Sequence, residues 1–199
     1  MSSVKKNFIY SSILTVSNYL FPLLTFPYVT RVLGVENLGI YYFVDSVIQY
    51  FTIFSMRGIS TVASREIAKV KDDPTKKSKT FSSILTLNLL TTLFAILILV
   101  ILSFLIPKLH LYQEMIYIGG GRLLFTALLI EWFYKGIENF RYITVRAILV
   151  RFVYVVAVFL FVNDSNDYVV YFGLTALTVV VYAIINIVYS NKFVRFSFF

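Results

Sequence analysis

Five charged side chains lie inside or at the edge of long apolar runs: Arg31, Asp45, Arg57, Arg122 and Glu131. A charge near the middle of a bilayer costs about 2.5–3.5 kcal/mol on insertion scales, so it faces a water-filled path or a partner. Their depths suggest pairs. Asp45 and Arg122 each sit five or six residues from one end of their runs, and Arg57 and Glu131 three to five from the other. We expect Asp45–Arg122 and Arg57–Glu131 pairing, with snorkelling to the surface an equal reading for Arg57 and Glu131. Polar stripes accompany these charges. Ser11, Thr15, Asn18, Pro22 and Thr25 recur at helical spacing, as do Tyr41, Asp45, Gln49 and Thr52. The first stripe fits a helix–helix contact or a cavity wall equally. The second, with Gln49 beside the acid, fits a buried structural acid or a substrate path.

No arrangement for covalent chemistry is present. There is no Ser/His/Asp set and no His/Cys cluster, and Asp72 and Asp73 read as a solvated turn before Pro74. Cysteine is absent and His110 is the single histidine, so no metal site is expected. Gly119–Gly121 lacks the preceding strand and following Lys-Ser/Thr of a phosphate loop. It reads as a flexible helix start or a close packing site.

The elements that position these residues follow from composition. Of 199 residues, 59% are hydrophobic and only 14% charged, and the mean hydropathy is +0.81. A soluble domain usually carries about 25% charge. Apolar runs of about 20 residues span about 30 Å of hydrocarbon as helices, and lipid leaves no exposed backbone unsatisfied. The fold class is therefore all-α and polytopic, a single membrane domain over residues 1–199. Six spans are expected at about 8–29, 40–62, 81–106, 116–134, 147–162 and 168–190. Pro22 and Pro27 are expected to bend the outer half of the first. That first run is too long for a signal peptide and lacks a small-residue cleavage site, so it reads as an uncleaved span.

Charge sets the orientation. Lys5 and Lys6, the six basic residues between Arg65 and Lys79, the group Lys135, Arg141, Arg146 and Arg151, and Lys192 and Arg195 all fall on one side. Only Arg31 and Lys108 fall on the other. By the positive-inside rule the rich side is cytoplasmic, with both termini inside. The net charge of +8 thus reflects orientation, and nucleic acid is not an expected partner.

The chain resembles the bacterial Wzx-type polysaccharide flippases, the O-antigen and capsule repeat-unit transporters of the multidrug/oligosaccharidyl-lipid/polysaccharide exporter superfamily. The matching residues are Asn18-Tyr19, Pro22-Leu23-Leu24-Thr25, Tyr28–Gly34 with Gly39, Ser64–Ala68, Trp132–Glu138 and Tyr142-Ile143-Thr144. Lys135 replaces a commoner Gln of that family. The resemblance implies a non-enzymatic transporter of the bacterial cytoplasmic (inner) membrane. It would move undecaprenyl-pyrophosphate-linked oligosaccharide between leaflets, with Arg31 the best-placed contact for the anionic diphosphate. Family members have two six-helix lobes, twelve or more helices in all, around a cavity. This chain matches the N-terminal lobe, a truncated or half transporter. The implied partners are a second lobe or polysaccharide polymerase machinery, together with the bilayer and the lipid-linked substrate. No cofactor is implied beyond a sodium or proton gradient. Two alternatives stay open: an ion-coupled multidrug or metabolite exporter lobe using Asp45, and a non-transporting fragment or scaffold.

Overall fold

The computed structural model describes residues 3–56 and 58–194. Arg57 and Arg195 lie outside the described residues, and with Arg57 the expected Arg57–Glu131 pair. All elements among the described residues are helical. They are α1 (Ser3–Met56), α2 (Ile59–Lys69), α3 (Pro74–Leu105), α4 (Pro107–Leu111), α5 (Gln113–Ala127), α6 (Glu131–Gly136), α7 (Phe140–Phe161), a short 3-10 turn (Ser165–Asp167) and α8 (Tyr168–Ser190). Five helical stretches are long and apolar enough to cross a membrane, and the chain is a polytopic membrane protein.

The first stretch is folded on itself. Inside α1 only Gly34 leaves helical geometry, at φ 74° and ψ 170°. That region is open to glycine and disfavoured for residues with a Cβ. A Cβ there would meet no neighbour within 4 Å, so the glycine is needed for backbone conformation, not for space. The helix runs through Pro22 and Pro27 without leaving helical geometry. The reversal of the chain falls at Gly34, where no side chain resists it.

Hydrogen bonds give the direction of each arm. The Thr144 hydroxyl donates to the Tyr10 carbonyl (2.9 Å) and the Tyr28 hydroxyl to the Val162 carbonyl (2.8 Å), so the first arm of α1 runs alongside α7 in the same sense. α8 runs back along α7, with the Tyr182 hydroxyl donating to the Ala147 carbonyl (3.0 Å). The second arm runs with α5, pairing Phe43 with Tyr112 and Ile48 with Gly119. α5 in turn runs with α8, Gly119 lying by Phe172 and the Leu129 carbonyl by Asn186. The two arms of α1 thus form a hairpin. One end of the bundle holds Gly34, Pro107 and Asn163. The other holds α2, α6 and the basic connections, and is called the basic end below.

Local sequence explains the helix limits. The Asp73 carboxylate accepts from the backbone N–H groups of Thr75 (3.1 Å) and Lys76 (3.0 Å), and Pro74 fills the first helical position. α3 ends at extended Ile106, the residue before Pro107. Ser64–Ala68, expected within a polar connection, is part of the amphipathic α2. Its Ala63 and Ile67 are buried, and it packs on α6. A Cβ on Gly136 would lie 2.7 Å from Ile67 and 2.9 Å from the Ser64 carbonyl, so only glycine permits that approach. Gly119 is likewise a packing site, since a Cβ there would lie 2.5 Å from Ile48.

Candidate functional site: three intramembrane polar centres

Asp45 and Arg122 form the expected pair, Arg122 Nη1 donating to Asp45 Oδ1 at 2.7 Å. Asp45 lies 11 residues past Gly34, about 16 Å along the helix, and Arg122 nine past Gln113, about 14 Å. Both are near the middle of a 30 Å hydrocarbon layer, deeper than the sequence runs implied. The side chains are 22% and 10% exposed, so the pair is screened from bulk solvent but not sealed. The Arg122 guanidinium lies 5.5 Å from the Phe172 ring centre, where cation–π attraction adds to the ion pair. Tyr41 packs against Tyr171 and Phe172 beside it.

The second centre surrounds a break in the fourth span. α5 stops at Ala127, Ile130 takes φ 42°, and α6 restarts at Glu131. A β-branched residue at positive φ is strained, and a break in lipid leaves carbonyls without partners. Two buried asparagines supply donors. The Asn88 amide donates to the Ala127 carbonyl (3.1 Å), and the Asn186 amide to the Leu129 carbonyl. The Asn186 side-chain oxygen accepts from the Tyr142 hydroxyl (3.0 Å) and from Arg146 Nη1, and its main-chain carbonyl from the Tyr134 hydroxyl. Arg146, only 5% exposed, also donates to Glu131 at 2.7 Å, and Lys135 lies 3.8 Å from the same carboxylate. Glu131 is thus held within the lobe by Arg146, a partner not expected from sequence.

The third centre includes Asn18 of the first polar stripe, but its arginine was not among the expected residues. Arg151 Nη1 donates to Ser17 Oγ (2.6 Å) and Nη2 to Asn18 Oδ1. The fifth span starts at Phe140, not at residue 147, so Arg146 lies within it and Arg151 moves from near its end to its middle. Arg151 stands 11 residues from its start and 10 from its end, midway along the span. No carboxylate lies within 4 Å of it among the described residues. Asn18 is exposed and Arg151 half-buried, so the centre is open on one side. A signal was present in the sequence: a 16-residue span covers only about 24 Å, so the run had to extend back past Arg146, which moves Arg151 toward its middle.

The remaining candidates are peripheral. Arg31 is exposed three residues before the Gly34 turn and makes no hydrogen bond or ion pair among the described residues, and Gln49 is exposed without a hydrogen bond. No group of three His, Cys, Asp or Glu side chains that could hold a metal occurs among the described residues. The centres can do two things: stabilise helix contacts by neutralised charge, and present one unneutralised guanidinium to an anion at mid-membrane.

An all-helical, polytopic chain with arginines inside its spans defines the class of multi-pass membrane proteins. More narrowly, the chain belongs to the polysaccharide biosynthesis protein family, whose model matches residues 4–199. It is 30% identical over 165 residues to a protein of Escherichia coli (strain K12) named "Putative O-antigen transporter", covering 83% of this chain and 40% of that protein. It is 23% identical over 166 residues to a Shigella dysenteriae protein of the same name, covering 83% of this chain and 41% of that one. The chain thus spans about two fifths of the length of the curated relatives it matches. No solved structure matches.

Proposed function

We propose that this chain forms one wall of a path that carries an anionic, lipid-linked oligosaccharide across the bacterial cytoplasmic membrane for surface polysaccharide synthesis. The observation that carries the reading is Arg151, a cation midway along a span whose hydrogen-bond partners among the described residues, Ser17, Asn18 and Tyr182, are all neutral. Such a charge is retained against an insertion cost of about 2.5–3.5 kcal/mol, which a diphosphate passing its open side would offset by a charge-assisted, two-pronged hydrogen bond. An undecaprenyl diphosphate carrier fits that chemistry. The chain sits with both termini and the basic end in the cytoplasm. Its six crossings are five helical stretches with the first doubled at Gly34. The opposite wall belongs to a second six-helix lobe, on the same polypeptide or on another chain.

Asp45 is already engaged by Arg122, which favours a structural role over ion coupling. The test is restoration of surface polysaccharide in a strain lacking its flippase, with Arg151→Ala, Arg151→Lys and wild type expressed to equal membrane levels. Ala is expected to abolish the polymer. Lys, which keeps charge but loses the fork, is expected to give partial restoration. Full activity of Arg151→Ala would refute the proposal.

A further inference from the structure

A groove of about 580 Å³ opens between α7 and α8 at the basic end. This is within the size range of ligand pockets. Its polar mouth is Asn139 and Arg141, and its depth is lined by Val145, Leu149, Val150 and Ile185. Arg141, Val145 and Leu149 follow at four-residue intervals, so the apolar wall extends about 12 Å inward from the cationic mouth. Arg141 is exposed and has no ion-pair partner among the described residues. Arg146 forms part of the wall, and its Nε–H has no hydrogen-bond acceptor although the residue is 95% buried.

Residues 149 and 151 lie about 200° apart around α7, so the groove and the Arg151 centre are on different sides of the helix. Phe152 and Val153, three and four residues beyond Leu149 on the same face of α7, are 61% and 66% exposed. Bilayer lipid covers that surface and reaches the groove from the side.

We propose that this groove holds one anionic phospholipid of the surrounding leaflet, its phosphate at Asn139 and Arg141 and one acyl chain along Val145 and Leu149. A cation within a lipid-accessible cleft, with an apolar channel leading inward, matches a headgroup and tail in length order. The site is independent of the transport path and of the proposed substrate.

The experiment is native mass spectrometry of the purified chain in detergent, supplied with equal phosphatidylglycerol and phosphatidylcholine. Wild type is expected to retain one phosphatidylglycerol with about fivefold preference, the worth of one basic residue at a membrane surface. Arg141→Ala is expected to bring that preference close to one. Leu149→Trp, which fills the channel and leaves the charge, is expected to abolish retention of either lipid. Unchanged Trp132 fluorescence would establish that each variant is folded. Equal retention of both lipids by wild type, or wild-type retention by both variants, would overturn the proposal. Displacement of phosphatidylglycerol by equimolar undecaprenyl phosphate would overturn the assignment to a resident phospholipid.

Discussion

Removing the carboxylate of Asp45 should destabilise the lobe far more than removing both members of its ion pair. The pair joins the second arm of α1 to α5 at 2.7 Å, with side chains 22% and 10% exposed. In Asp45→Asn, Arg122 stays near the bilayer centre with its charge uncompensated. Breaking a buried pair in this way costs about 3–5 kcal/mol. The partial exposure of both groups places the expected loss at the lower end, about 3 kcal/mol, a factor above 100 in the unfolding equilibrium. The double change Asp45→Leu/Arg122→Met removes both desolvation penalties and should return to within about 1 kcal/mol of wild type. The assay is reversible denaturation in mixed micelles, followed by fluorescence of Trp132. This single tryptophan, 2% exposed, lies in the core at the basic end and so reports whole-lobe unfolding. A coupling energy below about 0.5 kcal/mol in the double-mutant cycle would refute the reasoning and leave the pair a surface contact.

Three further outcomes are expected. Gly136→Val should force α2 off α6, because a Cβ already lies 2.7 Å from Ile67; about 1–3 kcal/mol of overpacking should appear as a lowered denaturation midpoint. Asn186→Leu strips acceptors from Arg146 and Tyr142 and the donor from Leu129. It should cost at least about 2 kcal/mol and expose the fourth-span break to amide exchange. The Asp73 carboxyl is held below its ordinary value of 3.8, chiefly by the Lys76 backbone N–H. Because the folded value is the depressed one, its capping contribution is full above 3.8 and fades as pH falls through the folded value. A carboxyl titration midpoint at or above 3.8 by NMR would contradict this.

Where apolar runs were unbroken, sequence was sufficient. The Asp45–Arg122 pair was readable because both charges interrupt runs at matching depth, and helices of the same sense bring equal depths together. Arg146 and Arg151 were misplaced for the converse reason. Their charges truncated the apolar run, so hydropathy moved the start of α7 inward, left Arg146 in a loop and put Arg151 near the end of the span instead of at its middle. The break after Ala127 left no turn signal, since residues 127–130 are apolar and contain no Gly or Pro. It is imposed by the distant Asn88 and Asn186, whose amides replace the missing helical donors. The Gly34 turn was readable as a gap between runs. Its compactness, a single non-helical residue, depends on the packing of Val29, Leu33 and Leu38 against Val158 and Val162.

The two arginines of α7 also constrain how the protein is made. Released alone from the translocation channel, α7 would carry a penalty of about 2.5–3.5 kcal/mol for Arg151 at its middle, with Arg146 adding to it, and would partition poorly into lipid. Two acceptors for Arg151, Ser17 and Asn18, are on the first arm, synthesised more than 120 residues earlier, while Tyr182 on α8 also hydrogen-bonds it, and those for Arg146 are on α6 and α8. Membrane entry of α7 is therefore a cooperative step. The first arm must wait beside the exit for its late-arriving neighbour, and α8 must follow before Arg146 is fully satisfied. Nascent chains halted between α7 and α8 should be the stage at which quality-control proteases find this protein.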